Sequence, residues 1–117
     1  MVGIVVNTRV YGTHSWPGVT EVPGLEAVYF LKNEHLHNFH IKCKRVVKHA
    51  DRDIEIIDFK KQIDDYFYEY YHSESKGYCV FGHMSCEMIA TELAEMLNLD
   101  YVEVLEDGNF GGFYEKD

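Results

Sequence analysis

Apolar and polar positions alternate along the first half of the chain, which is typical of β-strands with one buried and one exposed face. Residues 4–14 are rich in Ile, Val, Thr and Tyr and show no helical stripe, so we predict a first strand there. Residues 35–48 alternate most regularly, with His40 and the lysines on even positions and apolar side chains on odd ones. These odd positions, which we expect to face the core, are Phe39, Ile41 and Cys43.

Two stretches in the second half repeat apolar residues at helical spacing, and each predicts a helix with one buried face. Asp58 is the predicted N-cap of the first helix and Ser85 that of the second. The first stripe consists of Phe59, Ile63, Tyr66, Phe67, Tyr70 and Tyr71. The second stripe consists of Ile89, Leu93, Met96 and Leu97.

The remaining segments predict loops and shorter strands. They are a loop at 15–24, a short strand at 27–31, a polar loop at 72–77, a short buried strand or packed segment at 79–81, a strand at 101–106, a turn at 107–109 and a last strand ending near Tyr114. The resulting order of strand, strand, helix, helix, strand, strand favours an α+β fold. We expect a four-stranded antiparallel sheet with both helices on one face.

Composition limits the class of protein. The 117 residues predict a single domain over 1–117, and a hydrophobic content of 46% allows a packed core without disulfides. A net charge of −9 disfavours nucleic acids and anionic membranes as partners. Cys43, Cys79 and Cys86 form no C-x-x-C motif, and the apolar run at 1–6 is too short for a signal peptide or a membrane span. We therefore predict a cytoplasmic protein.

The histidines are the first candidate for chemistry. His35 and His37 share the parity of the buried positions, and alternate residues on a strand lie about 6.5–7 Å apart at Cα. His14, at the end of the preceding strand, is a candidate third ligand. Three imidazoles leave zinc an open position, which is the catalytic arrangement. The alternative is that a His-x-His pair is simply two polar residues at a strand edge.

Five short segments occur in order across nearly the whole chain. They are Tyr11–His14, His35–Phe39, Ile56–Lys60, Ser85–Ala90 and Val102–Glu106. They are similar, in the same order, to the F-x-A-A-H, H-G-H-N-[FY], V-I-D-F, T-S-E-N-I-A and V-x-V-x-E motifs of the 6-pyruvoyl-tetrahydropterin synthase family. That family includes the 6-carboxy-tetrahydropterin synthases of the 7-deazaguanine pathway. The chain as a whole resembles a divergent member of this family.

The resemblance implies a specific fold and a specific site. It implies the tunnelling fold, in which sheets of several subunits join into an oligomeric barrel, commonly as a trimer or a hexamer of two stacked trimers. It implies sites between subunits that bind pterins or purine-like heterocycles. Zinc would be held by His14, His35 and His37, and Glu106 would anchor the heterocycle. Glu87, in the motif that opens the second helix, is a further candidate for binding the substrate.

The proton-transfer residues depart from the family pattern. Residues 28–34 contain no cysteine where the synthases carry a catalytic one, and Tyr70–Ser73 replaces an L-D-H motif. His83 and His72 are the remaining candidates for proton transfer, although each is also compatible with an ordinary loop histidine. Cys86 lies in the first turn of a predicted helix, where the dipole favours a lowered thiol pKa, or it is a small buried residue.

Two functions from different classes follow. The first is a zinc-dependent enzyme, a carbon–oxygen lyase of the tetrahydropterin synthase type, acting on a pterin or a 7-deazaguanine precursor. The second is a non-catalytic protein that binds or sequesters a purine-like metabolite or nucleotide. An ordinary α+β domain with surface histidines remains as a third interpretation, but it requires each of three separate histidines to fall on the correct parity of its strand by chance.

Overall fold

The computed structural model describes all residues 1–117 as one mixed sheet packed against two α-helices. The strands are β1 (Val2–His14), β2 (His35–Val47), β3 (His72–Ser73), β4 (Tyr78–Gly82), β5 (Tyr101–Glu106) and β6 (Phe110–Glu115). The helices are α1 (Ile56–Tyr71) and α2 (Cys86–Leu97), and two 3₁₀ helices span Pro17–Glu21 and Glu26–Lys32. No helix is both long enough and apolar enough to span a bilayer.

The sheet has six strands in the order β3-β4-β1-β2-β5-β6. The four strands predicted from sequence are adjacent and antiparallel within it. The expectation of a purely antiparallel, four-stranded sheet is nevertheless wrong, because β3 and β4 extend it and β4 runs parallel to β1. Cys79 and Phe81 of β4 bury their side chains in the core, and pairing with the end of β1 satisfies the backbone groups that this burial removes from water.

The register of the sheet collects the candidate ligands on one face and at one end. His14 pairs with His35, and Gly12 pairs with His37, so the even positions of β1 and the odd positions of β2 share a face. Phe39 pairs with Glu106 of β5, which places that carboxylate on the same face. His40 lies on the other face of the sheet, opposite Arg9, as the alternation predicts.

Both helices pack on the face of the sheet that carries His14, His35 and His37, and they close a single core of 18 buried residues. Helix α2 begins as predicted, because the Met88 N–H donates to the Ser85 hydroxyl. The prediction of Asp58 as the N-cap of α1 is wrong. The cap is Glu55, whose carboxylate accepts from two N–H groups of the first turn, and Asp58 lies inside that turn.

The segment between β1 and β2 folds on itself. The prediction of a short strand at 27–31 is wrong, since these residues belong to the second 3₁₀ helix. The Trp16 N–H donates to the Leu31 carbonyl (2.7 Å), and both ends of the segment are thereby tied together beside the end of β1. Val19 fills the interior of this segment and is fully buried. The segment therefore forms a wall next to the histidines.

Candidate metal centre

The ends of β1 and β2 bring three imidazoles together. The ring centroids of His14 and His35 lie 4.6 Å apart, those of His35 and His37 lie 5.0 Å apart, and those of His14 and His37 lie 5.4 Å apart. One nitrogen from each ring lies within 4.8 Å of the others, so the group is able to hold a metal ion. His14 is buried, and His35 and His37 are partly buried.

Each of the three rings is oriented by a hydrogen bond from Nδ1 to an oxygen that can only accept. The acceptors are the Met84 carbonyl for His14 (2.9 Å), the Asn33 carbonyl for His35 (2.8 Å) and the Asp107 carboxylate for His37 (2.8 Å). An acceptor at Nδ1 fixes the proton there and leaves the lone pair on Nε2. Such outer hydrogen bonds are the usual support of metal-binding histidines.

The Nε2 atoms of His14 and His37 are buried and have no hydrogen-bond partner. Each nevertheless lies 3.2 Å from a carboxylate oxygen of Glu106, an approach that counts as an ion pair only for a protonated imidazole. The lone pair of an imidazole nitrogen and a carboxylate oxygen repel each other unless a cation or a second proton lies between the two atoms. Burial lowers the pKa of His14, which disfavours the second proton. A cation bound between the imidazoles resolves this conflict, and the donor set therefore fits zinc.

Asp107 supports this arrangement from outside, and sequence reasoning missed it. It has a left-handed backbone conformation (φ 55°) in the turn between β5 and β6, which aspartate tolerates better than most residues. One carboxylate oxygen accepts from the Asn38 N–H (3.0 Å) and the other from His37. These two bonds lower the pKa of Asp107. The only sequence signal is an aspartate that directly follows the strand-end Glu106.

A cavity of about 560 Å³ opens beside the histidines. His14, His35, Glu106, Glu87 and His83 all line it, so most residues predicted for the site share one pocket. Apolar side chains form much of the remaining wall, among them Trp16, Leu31, Met84, Met88 and Phe110.

His72 lies elsewhere. It lines a separate depression and stacks on Tyr68, with ring centroids 4.5 Å apart. It begins the short strand β3, and its neighbours come from β1, α1 and β4 instead of from the metal centre. The structure therefore does not bring His72 together with the other predicted site residues.

No protein-family model matches the chain, and no curated protein matches it in sequence. A solved structure of 6-pyruvoyl tetrahydropterin synthase from Caenorhabditis elegans matches it with a TM-score of 0.67 and 13% sequence identity. The match covers 99% of this chain and 96% of that one. This chain therefore has the same fold as that synthase. This agrees with the tunnelling fold that the sequence motifs imply.

The departures from the family motifs have definite places in this fold. Residues 28–34, which lack a cysteine, lie in the second 3₁₀ helix and the turn after it, and Leu31 is the residue of this stretch that lines the cavity. Tyr70–Ser73 ends α1 and begins β3, away from the cavity. Of these two stretches, only Leu31 therefore reaches the cavity, and it has no group that transfers a proton.

Burial disfavours the thiolate form of all three cysteines. Cys86 lines the cavity and donates a hydrogen bond to Glu106 (3.5 Å), but burial and the nearby carboxylate raise its pKa to about 12. The expectation that the helix dipole lowers this pKa is wrong, because desolvation and Glu106 outweigh the dipole. Burial also raises the pKa of Cys43 to about 12 and that of Cys79 to about 11.

Proposed function

We propose that the chain is a zinc-dependent protein of the 6-pyruvoyl-tetrahydropterin synthase type that acts on a pterin or a purine-derived small molecule. The observation that carries the proposal is the hydrogen bonding of the imidazole nitrogens. All three Nδ1 atoms meet oxygen acceptors, and the Nε2 atoms of His14 and His37 are buried without a partner. Three histidines at the side of an open cavity are the ligand set of a zinc site that keeps a position for substrate.

The protein's own groups have distinct roles in this proposal. His14, His35 and His37 would hold the ion, which when bound polarises a carbonyl or hydroxyl oxygen of the ligand. Glu106 would anchor the heterocycle, because a carboxylate accepts two parallel N–H bonds from the amide and amino edge of a pterin or guanine. Glu87, at the start of α2, adds a second acceptor in the same cavity.

His83 is the group proposed to move a proton. It lies between β4 and α2, lines the cavity and is separate from the three histidines of the metal centre. An imidazole exchanges protons readily near neutral pH and is a common general acid or base. In the enzymatic form of the proposal, it exchanges a proton with the side chain of the bound heterocycle.

A second candidate function is binding without turnover. It is favoured by the chemistry of the cavity wall, which includes no aspartate and whose single cysteine, Cys86, has a raised pKa. His83 is then an ordinary polar residue at the rim. The same metal centre and the same Glu106 anchor serve both candidates, and only turnover separates them.

Replacing His83 by alanine is expected to separate the two functions. If the zinc-loaded protein turns over a dihydropterin, His83→Ala should lower the rate by about 10²-fold or more, the usual contribution of a general acid or base. Binding of the same compound, measured by calorimetry, should be retained. Binding without turnover in the unmodified protein would identify the second candidate.

His49→Ala is the matched control, because His49 is exposed and lies in the loop after β2. It should leave both binding and turnover unchanged. The proposed function fails if the zinc-loaded protein binds no pterin and no guanine derivative.

A further inference from the structure

The two carboxylate oxygens of Glu106 face the two imidazole nitrogens that lack a hydrogen-bond partner. Oε2 lies 3.2 Å from Nε2 of His14, and Oε1 lies 3.2 Å from Nε2 of His37. Both nitrogens carry lone pairs, because the oxygen acceptors at Nδ1 hold the protons on the other side of each ring. Three groups that only accept are thus directed at one another, and a cation between them satisfies all three.

The spacing of these atoms is that of donors in one coordination shell. Zinc binds imidazole nitrogens at about 2.0–2.1 Å and carboxylate oxygens at about 2.0–2.2 Å, usually in a tetrahedral arrangement. Two donors of such a tetrahedron lie about 3.3–3.5 Å apart. Both contacts between Glu106 and the imidazoles, at 3.2 Å, are close to this spacing. A carboxylate that only anchored a heterocycle would face the cavity instead of these two nitrogens.

The fold holds Glu106 in this position. Glu106 ends β5, where it pairs with Phe39, two residues from His37 on the same face of the sheet. Its carbonyl accepts from the Asn109 N–H (3.0 Å) in the turn that follows. The Cys86 thiol donates to Oε2 (3.5 Å). The side chain is 19% exposed, so the carboxylate belongs to the wall of the metal centre and is not a mobile surface group.

We propose that Glu106 is a fourth ligand of the ion in the ligand-free protein, beside His14, His35 and His37. The inference rests on the zinc centre of the proposed function and deepens it. A zinc site with four protein ligands is closed, whereas a site with three keeps an open position. Glu106 therefore closes the site while the cavity contains no heterocycle.

Binding of a heterocycle then opens the site. Both oxygens of Glu106 face imidazole nitrogens, so the carboxylate must turn toward the cavity before it accepts two N–H bonds from a ligand. The fourth position becomes free only when the ligand has engaged Glu106. The same side chain thus links recognition of the heterocycle to access to the ion.

The zinc affinity of two glutamine variants tests the ligand role without any heterocycle. Glu106→Gln should weaken zinc binding by at least about 100-fold, more than the loss of an outer hydrogen bond costs. Glu87→Gln removes the same charge from the same cavity, but Glu87 is exposed, so the loss should be below about fivefold. Competition with a chromophoric chelator measures both. Equal losses would show that only the charge of the cavity acts on the ion, which overturns the inference.

Cobalt in place of zinc reports whether the fourth position is closed. The ligand-free, cobalt-loaded protein should have the strong visible absorption of a four-coordinate ion. Azide, a small anion that binds open positions, should leave this spectrum unchanged, but it should change the spectrum of Glu106→Gln. The inference is overturned if azide changes the spectrum of the unmodified protein, or if it changes neither spectrum. The first of these results needs no variant, so it decides even where Glu106→Gln fails to fold.

Adding neopterin or guanosine separates this inference from the proposed function. A compound that binds, as measured by calorimetry, should change the cobalt spectrum of the unmodified protein, because Glu106 leaves the ion. Binding with an unchanged spectrum would overturn the release of Glu106. If no pterin and no guanine derivative binds, the proposed function fails, whereas the chelator and azide results still decide whether Glu106 is a ligand.

Discussion

Phe39→Ala is expected to lower the free energy of unfolding by about 3–5 kcal/mol, the usual cost of removing a buried aromatic ring. Phe39 is fully buried. Its ring centroid lies 5.2 Å from those of His14 and Phe81, and 5.7 Å from that of His37, so it joins the core to the metal centre. The alanine leaves a cavity directly beneath two of the proposed ligands. Urea denaturation, followed by circular dichroism, measures the loss.

Phe113→Ala is the matched control for this prediction. It removes the same ring from β6, where the side chain is 61% exposed. We expect a change below about 1 kcal/mol, because little buried apolar area is lost. The account of the core is contradicted if Phe39→Ala is as stable as Phe113→Ala.

Asp107→Ala is expected to weaken zinc binding by about 10–100-fold, the range found when an outer hydrogen bond to a metal-binding histidine is removed. The carboxylate fixes the proton of His37 on Nδ1, and the alanine leaves that ring free to rotate and to change tautomer. Asp107→Asn should have an intermediate effect, since the carboxylate uses a separate oxygen for Asn38 and for His37 and the amide replaces one of these oxygens by a donor NH₂ group. Competition with a chromophoric chelator measures the affinity.

The spectrum of bound cobalt separates positioning from general destabilisation. Asp107→Ala should change the visible absorption of the cobalt-loaded protein, because the geometry at His37 changes. Asp100→Asn is the control: Asp100 also accepts from a backbone N–H of β2, that of Val46 (2.7 Å), but away from the site. Equal losses of zinc affinity in Asp107→Ala and Asp100→Asn would contradict a specific role for Asp107.

The candidate ligands could be predicted from sequence because side-chain direction alternates strictly along a strand. His35, His37 and Phe39 share a parity, and the pairing of β1 with β2 then brings His14 opposite His35. A period of two therefore places His35 and His37 on one face, and the register of β1 against β2 adds His14 to it. Burial of the helical stripes likewise follows from periodicity, although Tyr70 and Met96 lie at the edge of their stripes and are exposed.

The outer partners of the imidazoles could not be predicted in this way. The Met84 and Asn33 acceptors are backbone carbonyls, which leave no trace in residue identity. Asp107 is visible as a turn residue, but its contact with His37 depends on the register between β2 and β5. Register is fixed by packing and turn geometry together, and the local pattern contains only part of that information.

The strand β3, the parallel pairing of β4 and the 3₁₀ segment at 26–32 could not be predicted for a related reason, although a short buried strand at 79–81 was one of the two expectations for that stretch. A two-residue strand such as His72–Ser73 shows no periodicity, and the parallel pairing of β4 with β1 depends on residues far apart in sequence. The apolar residues at 27–31 suit a strand, yet they form a 3₁₀ helix tied to Trp16. His72 lies in a separate depression because it begins β3, which pairs with β4 at the edge of the sheet.

Metal content per chain tests the central claim most directly. Tag-free protein purified without chelators should contain about one zinc ion per chain, as expected for a three-histidine site. His35→Ala/His37→Ala should lose it, and His40→Ala/His49→Ala, which removes two histidines outside the site, should keep it. Absence of zinc from the unmodified protein, or its retention after loss of His35 and His37, would contradict the account.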